Sequence, residues 1–266
     1  MLNPVIRQLV ENSQRFRTHV CVGLDPDIQK LPYGFDRTVA GVKAFLTEVI
    51  RASTGLCIAF KPNISFFEGM GFPGLTMLSE LRGICPTDVP WIIDGKRGDI
   101  GNTSAMQARF MFDHLGADAT TLHPYMGDDS VRPFFEYHDK LNFVLGLTSN
   151  SGADTFEKLG MATGGGLWET VIRRCVDWHH EFGNVGLVVG GTQGELGKAR
   201  AIAGKCPFLI PGVGAQGGAY DQVLPVATGG GHVAVINMSR SILYGTPPGG
   251  DFSDGIRAEL SKFVNH

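Results

Sequence analysis

Asp94, Lys96, Arg97 and Asp99 place four charges within six positions, directly behind the apolar pair Ile92 and Ile93. Lys61 follows an earlier apolar run in the same way, within "LCIAFKPN". Asp94 and Lys96 are two apart, so on a strand they would share a face, and Lys61 on the preceding strand would reach the same pocket. Carboxylates beside a lysine hold it as an ammonium, and its charge keeps them ionised. At about 4 Å and an effective dielectric of about 20, one such pair interacts by roughly 4 kcal/mol before desolvation is counted. An ammonium held this way is poor at forming a Schiff base, which needs the neutral amine. It suits the stabilisation of a developing carbanion and the delivery of a proton to it. An anionic substrate group beside Asp94 would be repelled, and its loss would relieve the repulsion. On charge pattern alone, a solvated ion-pair cluster at a strand end fits as well. Arg97 falls on the other face and is assigned to structure or solvent, and Asn102 or Thr103 is placed to cap the next helix.

Two later segments suit phosphate. "IPGVGAQGG", residues 210–218, is rich in glycine, and "INMSRSILYG", residues 236–245, carries Ser239 and Arg240. Backbone N–H groups around Gly212, Gly214 and Gly217 can approach an anion closely, and an arginine can grip two of its oxygens. By contrast "HPYMGDD" is a poor metal signature, since His123 and a short acidic pair with Asp128 fall short of a ligand set. His123 is better placed as a general polar group near the pocket, and His179 and His180 as surface or packing residues.

These residues need a scaffold, and eight short β-prone runs supply it: "HVCVGLD", "LCIAFKPN", "PWIIDGK", "DATTLHP", "FVLGLTS", "GLVVGGT", "FLIPGVG" and "VAVINMS". Helical patterns lie between them, at residues 38–53, 103–115 and 167–182, and "NPVIRQLVENSQRF" predicts a further helix at the N-terminus. The spacing allows right-handed crossovers. Eight β/α units in one α/β domain over residues 1–266 predict a (β/α)8 TIM barrel with an additional N-terminal helix. An open doubly wound sheet would usually need fewer strands, and there is no early G-x-G-x-x-G turn. In a barrel, Asp25, Lys61, Asn63, Asp94, Lys96, His123, Thr148, Ser149 and Gln216 all fall at or just past strand C-termini, where barrel active sites are built. The irregular stretch 149–166 would share that face as a functional or mobile loop. Gly229 to Gly231 would form a structural turn on the opposite face.

Composition narrows the field. A formal net charge of −3 gives no global attraction for nucleic acid, and 18% charged residues argue against disorder. The five cysteines include no C-x-x-C pair and are expected to be reduced core residues. There is no signal-peptide pattern and no membrane-length apolar run, so the expected location is the cytoplasm.

With these residues in order, the sequence resembles the orotidine 5′-phosphate decarboxylase family, in its type 2 branch. The resemblance rests on "GLDP", "FKPN", "DGKRGDIGNT", "LTSN", "PGVGAQGG" and "NMSRSILY" and covers nearly the whole chain. It implies a homodimer of TIM barrels that converts orotidine 5′-phosphate to UMP and CO2 in pyrimidine biosynthesis, with neither metal nor organic cofactor. It implies that Lys61, Asp94 and Lys96 are catalytic, with Lys96 protonating C6, and that Asp99 acts in the neighbouring subunit's site. Asp25, Lys61 and Thr103 resemble ribose-binding positions, with Asn63 beside them. Ile100 resembles an apolar contact to the base from the second subunit. Gln216 and Arg240 resemble phosphate ligands, and the hydroxyl that meets the pyrimidine is Thr148 or Ser149. A barrel of this length leaves no room for a fused orotate phosphoribosyltransferase. The competing expectations are a related barrel decarboxylase or aldolase acting on sugar phosphates, commonly with a metal, and a catalytically silent phosphate-ligand binding protein.

Overall fold

Each of the eight apolar runs forms a parallel strand: β1 (Val20–Leu24), β2 (Ala59–Pro62), β3 (Ile92–Arg97), β4 (Ala119–Leu122), β5 (Leu141–Leu147), β6 (Val185–Val189), β7 (Phe208–Ile210) and β8 (Ala234–Met238). The computed structural model describes residues 2–162, 164–190, 192–213, 217–246 and 250–264. The strands are rich in Val, Ile, Leu and Phe and, apart from the C-terminal half of β3 and one position in β5, buried on both faces, as expected for a sheet wrapped in helices. Hydrogen bonding runs in the order β2-β1-β8-β7-β6-β5-β4-β3. Isolated parallel bridges, Phe60 to Trp91 and Asn63 to Asp94, join β2 to β3. The sheet therefore closes on itself as a (β/α)8 barrel.

The helices that position the site are α1 (Pro4–Phe16), α2 (Val39–Ser53), α3 (Ile64–Glu68), α4 (Gly71–Arg82), α5 (Gly101–Arg109), α6 (Arg132–Phe135), α7 (Leu167–Phe182), α8 (Gln193–Ala203), α9 (Gly217–Thr228), α10 (Arg240–Tyr244) and α11 (Phe252–Ser261). Helix α2 starts at a Thr38 cap whose hydroxyl accepts from the Gly41 amide, and its Val42, Phe45, Leu46 and Val49 face the strands. No helix among the described residues is long and apolar enough to cross a membrane.

The additional N-terminal helix has a specific job. Asn3 caps α1 by accepting from the Val5 and Ile6 amides, and Pro4 fits the first turn, where a missing N–H costs nothing. One face of α1, with Val5, Ile6 and Leu9, packs onto Cys21, Ile58, Ala59, Ile92, Ala119, Leu141, Phe143, Val188, Leu209 and Val235. These include the lower residues of the barrel lumen, so α1 plugs its N-terminal mouth. Asn3 Nδ2 ties it to the carbonyls of His138 and Lys140, and Asn12 Nδ2 ties it to those of Ile58 and Asp88. Leu9 is fully buried there. Leu9→Ala is expected to lower stability by about 2–5 kcal/mol through lost transfer energy and the cavity left behind. Urea unfolding measures it, and an unchanged midpoint would contradict the plug.

Because side chains alternate along a strand, residues two positions beyond the floor face the same lumen nearer the C-terminal mouth. From Cys21, Ala59, Ile92, Ala119 and Val235 that step reaches Gly23, Lys61, Asp94, Thr121 and Asn237. An apolar floor thus lies directly beneath a polar layer.

Three segments differ in detail from their sequence pattern. The helix expected at 103–115 begins two residues earlier, at Gly101, with Ile100 at its N-cap and no side-chain capping bond, so neither Asn102 nor Thr103 caps it. Its second half, Phe110–His114, widens into a π-turn, and Leu115 N donates to Phe110 O. The stretch 149–166 is largely ordered by its own hydrogen bonds: a 3-10 turn spans Ser151–Thr155 and Gly160 bridges Gly166. Gly230 and Gly231, both at φ 80°, make the tight turn before β8 that the glycine run predicts.

Candidate active site

Lys61 and Lys96 grip one carboxylate. Lys61 Nζ lies 3.1 Å from Asp94 Oδ2, and Lys96 Nζ lies 2.7 Å from Asp94 Oδ1. The Lys61 side chain is only 5% exposed and that of Asp94 12%, whereas that of Lys96 is 46% exposed. The array is buried at one end and open at the other, with Lys96 as the group available to a ligand.

Lys96 reaches Asp94 by an unexpected route. It has φ 44°, in the left-handed region that disfavours side chains bearing a Cβ, and the β3–β4 register shifts between Ile93 and Arg97. Simple strand alternation therefore does not hold between Asp94 and Lys96; a bulge turns the lysine to the carboxylate. Thr121 holds the bulge. Its Oγ1 accepts from the Gly95 amide (3.1 Å) and the Lys96 amide (2.9 Å), and donates to Asp94 Oδ1 (2.8 Å). Gly95 leaves room at the bend for Met111, whose Cε would stand 2.6 Å from a Cβ there and would have to shift. Backbone strain of this kind is found where a site fixes a side chain.

The electrostatics favour full ionisation. Burial alone would raise the Asp94 carboxyl, but Lys61 and Lys96 outweigh it and hold Asp94 well below the usual carboxylate range. Burial alone would lower Lys61, but Asp94 and then Asp25 overcome it and hold the ammonium above its ordinary value. Burial pushes the Cys21 thiol, beneath them, up to about 12, so it stays neutral. The depressed Asp94 contributes stability that is complete above the unfolded carboxylate pKa of about 3.9 and is lost as pH falls through the lower folded value. The raised Lys61 contributes stability that is complete below about 10.4 and is lost as pH rises through its higher folded value. The melting-temperature difference between wild type and Asp94→Asn is expected to be widest near neutrality and to shrink as pH drops below about 4. A gap that stays constant down to about pH 2 would contradict a depressed Asp94.

Asp25, beyond β1, completes the cluster. Its Oδ1 accepts from the Asn63 amide (3.2 Å) and its Oδ2 accepts from the Ser239 hydroxyl (2.6 Å). Asn63 spends its side-chain oxygen on the Ser65 amide, capping α3. Arg97 turns outward to Glu68 at 2.5 Å.

Beyond β5, the Thr148 amide and hydroxyl both donate to the Glu157 carboxylate, at 2.7 and 2.8 Å. Its neighbour Ser149 is exposed, with its amide packed so close to Gly190 that a Cβ on Gly190 would stand 2.9 Å away. Thr148 is therefore engaged within the protein, while Ser149 is exposed. Arg240 is exposed at the start of α10 beyond β8. Gln216 and Gly214 lie outside the described residues; Gly212, at φ 80°, is the described part of that loop.

Asp99 is not brought to this cluster. Its Oδ1 accepts from the Ile100 amide, and no lysine pairs with it among the described residues. Ile100 is 56% exposed and Thr103 is exposed. His123 is half-buried beside Gly98 at the same rim. Asp128 is bound by Arg174 on α7, and among the described residues no three His, Cys, Asp or Glu side chains gather as a metal group.

Sequence reasoning missed Thr121, Glu157 and the part played by Asn237. Thr121 had a signal, a polar side chain in a short β-prone run, two residues past the apolar floor position Ala119. Glu157 had none, because its contact with Thr148 depends on how the long loop folds back.

Residues 18–250 match the family described as orotidine 5′-phosphate decarboxylase / HUMPS. An orotidine 5′-phosphate decarboxylase of Herpetosiphon aurantiacus is 39% identical over 249 residues, 93% of this chain and 92% of that one. One of Dehalococcoides mccartyi is 41% identical over 269 residues, 98% of this chain and 97% of that one. The solved OMP decarboxylase of Leishmania donovani is similar with a TM-score of 0.85 and 33% identity, covering 98% of this chain and 96% of that one.

Proposed function

The chain belongs to the orotidine 5′-phosphate decarboxylase / HUMPS family, and from that premise we propose how it decarboxylates orotidine 5′-phosphate to UMP and CO2. The observation that carries the proposal is the Lys61–Asp94–Lys96 array, two buried charges and one accessible ammonium at the top of the lumen. The orotate carboxylate sits beside Asp94, where like charges repel. The C6–carboxylate bond breaks, CO2 departs, and the electron pair remains on C6. Lys96, aimed by its bulge, stabilises that charge and transfers a proton to C6. Lys96 then regains a proton from solvent. The protein's own charges supply the electrostatic work, with no metal or organic cofactor in the scheme.

The other assignments follow the same frame. Asp25, Lys61 and Thr103 hold the ribose, with Asn63 fixing Asp25 through its amide. Gln216 and Arg240 hold the phosphate, and the loop 149–166 closes over the substrate, so that remote binding positions the ring. Ser149, which is exposed, is a better candidate for the pyrimidine contact than Thr148, which is committed to Glu157. We place Asp99, Ile100 and Thr103 in the neighbouring site of a homodimer, a choice supported by the exposure of Ile100 and Thr103 and by the absence of a lysine partner for Asp99 within its own chain among the described residues. A cytoplasmic location is supported by five buried, unpaired thiols, which suit a reducing compartment.

Purified protein is expected to consume orotidine 5′-phosphate, followed by pyrimidine absorbance, with activity unchanged after exhaustive chelation. Loss of activity on chelation and its return with a divalent metal would favour the sugar-phosphate branch of the family instead.

A further inference from the structure

Ser239 stands where a serine ordinarily caps a helix, yet it makes no side-chain capping bond to α10. Its hydroxyl is used elsewhere. Asn237 Nδ2 donates to Ser239 Oγ at 3.3 Å, and Ser239 Oγ donates to Asp25 Oδ2 at 2.6 Å. The serine's single proton points to Asp25, so its oxygen is left to accept from the Asn237 amide. The chain Asn237–Ser239–Asp25 has one direction, and it reaches the Asn63 amide through the other carboxylate oxygen. Asn237 is 7% exposed, and its Oδ1 is buried without a partner. Leaving that oxygen unpaired is costly, and the orientation survives because the reverse amide flip would set an acceptor against a Ser239 oxygen whose proton is committed to Asp25.

The neighbouring strand is shaped around this chain. A Cβ on Gly23 would lie 1.8 Å from Ser239 Oγ and 3.1 Å from Asn237 Oδ1. A second tie joins the same two loops, with Tyr244 Oη accepting from the Asp27 amide at 2.8 Å. The β1 loop that bears Asp25 is thus fastened to the β8 loop that bears Arg240.

We propose that Ser239, oriented by Asn237 and given room by Gly23, is a positioning residue that sets the Asp25 carboxylate for the substrate's ribose and couples it to the phosphate-gripping end of the barrel. The proposal rests on the assignment of Asp25 to the ribose. It predicts that the Ser239 hydroxyl acts only through Asp25.

A double-mutant cycle tests this on the intact enzyme, with orotidine 5′-phosphate as substrate and circular dichroism as the check on folding. Ser239→Ala is expected to lower kcat/KM about 10-fold or more, the scale of a lost hydrogen bond to a charged group. In an Asp25→Ala background the same change should cost less than about 2-fold, since the acceptor is gone. Gly23→Ala, which displaces the hydroxyl without removing it, should reproduce most of the Ser239→Ala loss. Equal losses in both backgrounds would overturn the proposal, because a merely structural serine would not depend on Asp25. So would a fully active Ser239→Ala alongside an impaired Asp25→Ala. A fully active Asp25→Ala would instead overturn the ribose assignment beneath it.

Discussion

Lys96→Ala is expected to lower turnover of orotidine 5′-phosphate by at least about 10⁴-fold, since it removes a proton donor and a charge that stabilises the carbanion at once. The fold should survive. Lys96 is the exposed member of the array, and Asp94 keeps Lys61 and Thr121 as partners when it is gone. Steady-state kinetics beside a thermal melt checks both halves. Lys96→Arg separates the two contributions. The guanidinium keeps the charge, but it cannot give up a proton near neutrality and does not match the ammonium's position. If Lys96→Arg retained most of the turnover, charge alone would suffice and Lys96 would lose its role as donor. If Lys96→Ala turned over normally, the array would be a structural ion-pair cluster.

Lys61→Ala would be a different experiment. Lys61 is sealed in the lumen and pairs with the buried side of Asp94. Removing one partner of a buried pair leaves the other uncompensated, at a typical cost of about 3–5 kcal/mol. Activity lost on changing Lys61 therefore mixes chemistry with folding, and Lys96 gives the cleaner measurement.

The barrel was legible because its strands are short, apolar and separated by turn residues, and all eight expected runs form strands. Boundaries moved by a few residues, as in β2, which begins at Ala59 although its apolar run starts at Leu56. The pairing of Asp94 with two lysines was legible from spacing, but the stated reason was incomplete. Alternation puts Lys61 and Asp94 on one layer, whereas Lys96 arrives through a left-handed backbone conformation that no i, i+2 rule contains. Its signal lies on another strand, in the buried Thr121 that takes up the two amides freed by the bulge. Helix capping misled for a related reason. Thr103 has a capping side chain, but the turn at Gly101, with φ 53°, starts the helix before it. Long-range partners such as Glu157 for Thr148 and Ser239 for Asp25 depend on loop closure across 9 and 214 residues of chain. Residue type shows that such groups can bond but not which pair will meet.

Mixing two inactive variants should restore activity if Asp99 serves the neighbouring site. Asp99→Ala alone is expected to be nearly inactive while folding normally, since among the described residues its carboxylate bonds the Ile100 amide of its own chain and pairs with no buried charge. Lys96→Ala is inactive for the reason given above. In a mixed dimer, one site joins the altered Lys96 position to the altered Asp99 position and carries both lesions. The other site joins an intact Lys96 to an intact Asp99 and carries neither. After random exchange of equal amounts, half the dimers are mixed and half of their sites are whole, so about one quarter of wild-type activity should appear. An Asp99 that acted within its own chain would give no such recovery, because every site would retain one lesion. Subunit exchange is confirmed independently, by mixing differently tagged chains. Recovered activity should then disappear on dilution to monomer, when each site loses its borrowed carboxylate. Confirmed exchange without recovery would return Asp99 to its own chain and leave the exposed Ile100 and Thr103 without the role assigned to them.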